Sequence, residues 1–262
     1  MHVLITGAAS GIGRAVARRL AEDARARGTA LRMALIDRDE VGLDAVVAEV
    51  GEGASAHSAD LADDASLCAA VEAALAHVEH RLDGLVSNAG VISAAPLKEL
   101  DPALWDRDFA VNTRATFRLG QLCHPALSTA RGSMVVTSSV SGRYPTADVG
   151  AYGANKAAVT MLTRQMAREW GPDGIRCNVV SPGSTLTEMT RTGLEHPGVM
   201  DQRAAQVPLG RIGQPEDIAA VVSFLLGPDA GFVSGVDIAV DGGWTSALMP
   251  KVSAAVARDS AK

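Results

Sequence analysis

Short apolar runs alternate along this chain with longer stretches in which apolar residues recur at helical spacing. Val3–Ile5, Leu31–Ile36, Ala54–Ser58, Gly84–Ser87, Gly132–Ser138, Ile175–Ser181 and Val236–Val240 read as strands. Between them, Arg14–Arg27, Val41–Val50, Asp64–His80, Pro102–Cys123, Ala151–Trp170 and Pro215–Leu226 read as helices, and Leu186–Val207 reads as irregular. No linker or repeat interrupts the order. Strand–helix alternation of this kind predicts an α/β fold, a doubly wound parallel sheet with helices on both faces. Right-handed crossovers then bring the C-terminal end of every strand to one edge, where such sheets bind ligands.

Chemistry-bearing residues fall at those ends. Val3–Ile5 runs directly into Thr6-Gly7-Ala8-Ala9-Ser10-Gly11-Ile12-Gly13 and then a helix, the opening of a Rossmann-type dinucleotide-binding unit. The spacing is G-x-x-x-G-x-G, and each glycine has a physical task. Gly7 permits the tight turn, Gly11 lets the backbone approach a pyrophosphate, and Gly13 lets the helix pack closely on the strand. Asp37 ends the second strand and is placed to accept hydrogen bonds from the adenosine ribose hydroxyls. Its charge would repel the 2′-phosphate of NADP, and Ser10 offers no cation there, so NAD is the expected cofactor and NADP the lesser alternative, with Arg38 the one neighbouring cation able to pair with a phosphate.

Tyr152 and Lys156 stand four residues apart in AYGANKAAV, with Ser139 thirteen residues before the tyrosine. On a helix, positions i and i+4 share a face. A phenol has an unperturbed pKa near ~10, and an adjacent ammonium favours the phenolate, moving the group toward useful acid–base catalysis. The expectation is therefore that Lys156 holds the Tyr152 pKa down while Ser139 donates to the substrate oxygen.

Bulk properties narrow the class. A chain of 262 residues, 47% hydrophobic, can bury a sizeable core as one domain. A net charge of −6 leaves no basic footprint for nucleic acid. No apolar stretch is long enough to span a membrane, and the three-residue run before Thr6 is no signal peptide, which predicts a cytoplasmic protein. Cys68, Cys123 and Cys177 are odd in number and widely spaced, so they read as reduced thiols. His57 and His77 lack partners at ligand spacing, and no metal is expected. His124 beside Cys123 does not form a nucleophile pair, because adjacent helical side chains diverge. Trp105, Trp170 and Trp244 read as core or interface anchors.

Taken together, these motifs resemble the short-chain dehydrogenase/reductase family from Val3 to about Gly243. The resemblance implies that Thr6–Gly13 binds phosphate and that Asp60-Leu61 touches the adenine ring. It implies that Ser87-Asn88-Ala89-Gly90 matches the Asn-Asn-Ala-Gly strand end, with serine replacing the first asparagine. Pro182-Gly183 with Thr185 and Thr187 would fix the nicotinamide carboxamide, and Lys156 would bond the ribose hydroxyls. Asn112 would be a structural residue holding a proton-relay water, completing a catalytic set with Ser139, Tyr152 and Lys156. The implied protein is a catalytic domain over 1–243 with an extension over 244–262, assembled as a homotetramer or homodimer, with a short helix at Ser253–Arg258 packing on a neighbour.

The implied activity is NAD-dependent interconversion of a small cyclic or hydroxylated secondary alcohol with its ketone. Leu186–Val207 would act as the lid, and its Met189, Leu194, Val199 and Met200 suggest an apolar pocket. The alternatives are an NADPH-dependent 3-oxoacyl-[acyl-carrier-protein] reductase and a non-catalytic dinucleotide-binding protein. The run Arg176–Thr185 is also close to that of 2,3-dihydro-2,3-dihydroxybenzoate dehydrogenases. Those carry an arginine where this chain has Thr146, which Arg143 would replace only from a different place in the loop.

Overall fold

The computed structural model of the chain describes residues 1–247. The expected tail helix at Ser253–Arg258 lies outside them. Seven parallel strands form one sheet in the order β3-β2-β1-β4-β5-β6-β7. They are β1 (His2–Thr6), β2 (Arg32–Asp37), β3 (Ala54–Ser58), β4 (Gly84–Ser87), β5 (Ser133–Thr137), β6 (Arg176–Pro182) and β7 (Asp237–Val240). Every strand lies within two residues of its expected bounds. The order reverses between β1 and β4, so the crevice a doubly wound sheet uses for ligands opens at the ends of those two strands.

Two apolar layers hold the helices to the sheet. On one face, α1 (Gly11–Arg27), α2 (Glu40–Val50) and α9 (Pro215–Leu226) bury Val16, Leu20, Leu43, Val46, Ile218 and Val222 against Val3, Ile5 and Val135. On the other face, α3 (Asp64–His77), α5 (Ala115–Ala130) and α6 (Tyr152–Trp170) bury Leu67, Val71, Leu119, Cys123, Val159 and Met166 against Leu4, Leu85 and Met134. Side chains alternate across each strand, so consecutive residues such as Val3 and Leu4 serve opposite layers.

Three expectations are corrected. The single helix expected over Pro102–Cys123 is α4 (Pro102–Phe109), a π-helical turn (Ala110–Arg114), and α5, which runs on to Ala130. Periodicity alone hides a one-residue insertion of this kind, because the apolar stripe merely shifts. The third helix ends at His77, after which Glu79 and His80 adopt positive φ. The segment expected to be irregular contains α7 (Glu188–Leu194) and α8 (Val199–Gln206), each about two turns long and too short for a convincing apolar repeat.

Candidate active site

The glycine turn shows why its sequence is what it is. Gly7 has φ +66°, and a Cβ there would stand 2.8 Å from the Ala89 Cα. A Cβ on Gly13 would stand 2.0 Å from the Gly7 carbonyl oxygen, so α1 can start this close to β1 only with glycine. Helix α1 begins at Gly11, with Ser10 at its N-cap making no side-chain capping bond. The cap leaves the first amides of a seventeen-residue helix without a side-chain acceptor. Gly11 has φ +50°, and the site of its absent Cβ is 3.3 Å from Thr187 Cβ and Glu188 Oε2. The N-terminus of α7 therefore stands beside the glycine turn. Ile12 follows in the first turn of α1, packed against the first core layer.

Asn88 ties three strand ends together. Its Nδ2 donates to the Thr6 and Gly7 carbonyls at 3.3 and 3.2 Å, and its Oδ1 accepts from Thr137 Oγ1 at 3.1 Å. The Asn88 and Ala89 amides both donate to Thr6 Oγ1. Asp37 reaches back to the glycine turn, where its Oδ2 accepts from the Ala9 amide at 3.0 Å. Its Oδ1 accepts from the Arg38 amide at 2.7 Å, and the Arg38 side chain is exposed with no hydrogen bond or ion pair among the described residues. Asp60 is exposed, whereas Leu61 is buried among the core residues of α3 and α5. Gly183, past the end of β6, packs where a Cβ would meet Asp241 at 2.7 Å, and Thr185 donates to the Gly183 carbonyl at 3.1 Å. Thr187 caps α7 in a reciprocal box with Thr190.

Ser139, Tyr152 and Lys156 converge where β5 meets α6. Ser139 Oγ accepts from the Ser141 amide at 3.1 Å, which fixes its position beside the Tyr152 phenol. Lys156 is buried, its Nζ donating to the Thr137 carbonyl at 2.8 Å and lying 5.6 Å from the centroid of the Tyr152 ring. Burial brings the Lys156 ammonium down to about 8. Burial also raises the Tyr152 phenol, and a hydrogen bond with Ser139 opposes that rise only in part. The expectation that Lys156 holds the phenol down is thus not met in the protein alone. The ammonium is itself desolvated and turned toward Thr137.

Asn112 sits in the π-helical turn and pairs with the Val91 backbone in both directions at 2.9 Å. Gly90 lets this floor approach, because the position of a Gly90 Cβ is 2.9 Å from Asn112 Oδ1 and 3.5 Å from Lys156 Nζ. Other candidates fall away. Arg143 is bound to the buried carboxylate of Asp237 at 2.7 Å and is not available to a substrate carboxylate. Burial raises the Cys123 and Cys177 thiols to about 12, leaving both unreactive. His57 and His77 bond to Ser55 Oγ and the Gly53 carbonyl, and no cluster of metal-ligating residues occurs among the described residues. No described helix is long and apolar enough to cross a membrane.

The structure also supplies residues that sequence reasoning missed. Asp108, on the last turn of α4, is buried and accepts from both the amide and the hydroxyl of Ser93 at 3.0 and 2.9 Å, pinning the loop after Gly90. Thr137 offers a carbonyl to Lys156 and a hydroxyl to Asn88, and Ser138 Oγ donates to the Lys156 carbonyl at 2.9 Å. A charged residue at a core-facing helical position was the available signal for Asp108.

A seven-stranded parallel sheet with this glycine turn and a Ser–Tyr–Lys cluster at its edge defines a dehydrogenase-type site. Residues 7–245 match the family described as Enoyl-(Acyl carrier protein) reductase. The chain belongs to the short-chain dehydrogenase/reductase family and is an oxidoreductase. It is 40% identical over 220 residues to an inactive 2-(S)-hydroxypropyl-CoM dehydrogenase of Xanthobacter autotrophicus, covering 82% of this chain and 95% of that one. It is 36% identical to the D-threitol dehydrogenase of Mycolicibacterium smegmatis, covering 92% of each. The fold matches a 3-ketoacyl-(acyl-carrier-protein) reductase from Brucella melitensis solved with NADH, with TM-score 0.83 and 31% identity over 93% of this chain and 98% of that one.

Proposed function

We propose that this protein interconverts a small secondary alcohol, cyclic or polyhydroxylated, with its ketone, using NAD. The observation that carries the reading is the convergence of a buried Lys156, the Tyr152 phenol and an oriented Ser139 hydroxyl at the edge where the glycine turn opens. The residues fit a dinucleotide. Gly7, Gly11 and Gly13 form a cradle in which a side chain would clash or be strained, and the first turn of α1 offers amide donors to an anion. Gly7, Ser10, Gly11, Ile12 and Gly13 would hold the pyrophosphate, Asp37 and Arg38 would flank the adenosine ribose, and Asp60 with Leu61 would border the adenine. Asn88, Ala89, Gly90, Pro182, Gly183, Thr185 and Thr187 would line the nicotinamide end. When bound, the nicotinamide accepts or supplies the hydride.

The chain's own residues manage the oxygen and its proton. Ser139 donates its hydroxyl proton to the substrate oxygen, which lowers the energy of negative charge developing there. Tyr152, protonated at neutral pH because burial raises its phenol, would give its proton to that oxygen during reduction; during oxidation it would take the alcohol's proton only after passing its own to a neutral Lys156. In reduction the Lys156 ammonium, brought down to about 8 by burial, would return a proton to the phenolate and become the neutral amine; in oxidation the neutral amine would take the phenol's proton.

Asp37 supports NAD, since its carboxylate is already fixed by the Ala9 amide where a 2′-phosphate would sit. Similarity to a D-threitol dehydrogenase supports a polyhydroxylated alcohol. A second reading, reduction of a 3-oxoacyl thioester, rests on the likeness to the Brucella reductase.

The test is Tyr152→Phe assayed across a panel of alcohols and ketones. Turnover should fall by roughly 10²–10⁴-fold, the usual contribution of a positioned proton donor. NADH affinity, read by fluorescence, should hold. Wild-type turnover in the variant would remove Tyr152 from the role.

A further inference from the structure

Strand β7 opens on a charge. The Asp237 side chain is 1% exposed, and its strand neighbours Ile238 and Val240 pack against the first apolar layer. Asp237 alternates with them and so faces the other side of the sheet, where α6 lies. Its Oδ1 accepts from Ser181 Oγ on β6 at 2.6 Å, and its Oδ2 accepts from Arg143 Nε at 2.7 Å. Arg143 Nη2 donates in addition to the Asp237 backbone carbonyl. The guanidinium therefore grips the side chain and the main chain of one residue, with a planar fork that an ammonium cannot reproduce. Neutral groups often serve stability as well as a buried ion pair does; what the pair adds is a fixed direction.

That direction bears on Ser139, because both residues belong to one turn. The Gly142 amide donates to the Ser139 carbonyl, and the Arg143 and Tyr144 amides donate to the Val140 carbonyl, each at 3.0 Å. The Ser139 hydroxyl oxygen accepts from the Ser141 amide within the same turn. Ser139 to Tyr144 therefore moves as a unit, and it is held from two sides. On one side Gly142 lies against α6, where a Cβ would stand 2.9 Å from the Lys156 carbonyl carbon. On the other, Arg143 ties the turn to β7 through Asp237. Beyond it, Tyr144–Asp148 are exposed, and the chain is tied to another segment again at Gly150, whose amide donates to the Ala95 carbonyl.

We infer that Arg143, anchored by the buried carboxylate of Asp237, is a positioning residue for Ser139: it fixes the turn so that the Ser139 hydroxyl meets the substrate oxygen beside the Tyr152 phenol. Without the anchor the turn would be held by α6 alone and would follow the exposed loop that begins at Tyr144. A donor aimed at a developing oxyanion is sensitive to such movement, since a displacement of about 1 Å can cost on the order of 10²-fold in rate. The inference rests on the reading of Ser139 as donor to the substrate oxygen given above.

The test compares wild type with Ser139→Ala, with the pair Arg143→Met and Asp237→Asn, and with all three substitutions together, in the oxidation of D-threitol by NAD. The paired substitution leaves the net charge unchanged and keeps an amide oxygen for Ser181, so it should fold and bind NADH, read by fluorescence, with wild-type affinity. Its kcat should fall roughly 10- to 100-fold. Added to Ser139→Ala it should cost nothing further, because no hydroxyl is left to misplace, whereas a role in stability alone would cost the same in either background. A crystal structure of the paired variant should show Ser139 Oγ withdrawn from the Tyr152 phenol relative to wild type, and this comparison decides alone if D-threitol is not turned over. If the paired variant does not fold, Arg143→Lys, which keeps the charge and loses the fork, takes its place, with a loss of kcat that likewise vanishes in Ser139→Ala.

The inference is overturned if the variant keeps the wild-type kcat while Ser139→Ala is impaired. It is overturned equally by a loss of the same factor with and without the Ser139 hydroxyl, or by a crystal structure in which the turn has not moved. Wild-type turnover in Ser139→Ala would instead remove the underlying reading of Ser139 as donor, and the inference with it.

Discussion

Lys156 is the residue at which fold and chemistry oppose each other most directly. Its ammonium titrates near 8 in the folded protein because burial penalises the charge. An unfolded lysine keeps its proton to about 10.4, so between these values the unfolded chain binds more protons, and stability rises with pH. The penalty, on the order of 3 kcal/mol at about 1.4 kcal/mol per pKa unit, is present in full below pH 8 and is relieved toward pH 10. The buried thiols Cys123 and Cys177 and the Tyr152 phenol act in the opposite sense at alkaline pH, since each keeps its proton longer when folded. Those contributions cancel when wild type is compared with Lys156→Met. The unfolding free energy of wild type minus that of Lys156→Met, from urea titrations, should climb from pH 8 to 10; a flat difference would mean the lysine is not desolvated.

Asp37 yields a second prediction on the same scale. Asparagine there keeps an oxygen for the Ala9 amide while removing the charge, so Asp37→Asn should raise kcat/KM with NADP relative to NAD at least about tenfold by removing like-charge repulsion. Steady-state kinetics with both cofactors decides it. The Tyr–Lys spacing and the glycine turn were legible because their meaning lies in intervals along the chain. Asp108 was legible only as a charged letter at a core-facing helical position, and its pairing with Ser93 was not, because that contact is made by the fold and leaves no interval along the chain.

At the scale of elements, strands and capped helices were legible and the region leading into the site was not. Asp39, Asp63 and Asp101 each accept from a first-turn amide at the N-termini of α2, α3 and α4, as a short acidic side chain before an apolar stretch suggests. The π-helical turn leaves no such mark, yet it sets Asn112 against Val91 and brings α4 to the loop after Gly90. Asp108 then locks that loop, and Gly150 closes on it from the other side, its amide donating to the Ala95 carbonyl at 3.0 Å. Asp108→Ala would leave the Ser93 amide and hydroxyl without acceptors, costing about 1–3 kcal/mol. Thermal unfolding should show that loss. On the proposed placement of the substrate beside this loop, kinetics should show a raised KM for the alcohol with NADH affinity unchanged, because Asn88 and the glycine turn are held separately. An equal weakening of both ligands would mean the loop supports the whole cleft.

On the scale of the whole molecule, the sheet order explains why motifs spread from Thr6 to Thr187 act together: every contributing strand ends on one edge, and β1 and β4 part there. What the single chain leaves uncovered bears on assembly. Leu104 and Trp105 on α4 and Phe117 on α5 are 38–40% exposed, on the face of the sheet that α5 covers. Phe224 on α9, Phe232 and Val236 are exposed on the side built by α9 and β7, with Phe232 entirely in solvent. Large apolar side chains left exposed on two different sides of the sheet suit a protein with two different self-contacts. One isologous contact closes a dimer, and two different ones close a tetramer with mutually perpendicular axes. We therefore expect four chains by analytical ultracentrifugation at micromolar concentration. Trp105→Glu with Phe117→Glu should disconnect one contact and Phe232→Glu the other, each variant sedimenting as a dimer, and the combination should sediment as a monomer. A wild type that sediments as a monomer would sink the expectation. A wild-type dimer abolished by one set of substitutions and untouched by the other would assign the remaining patch to something other than self-association.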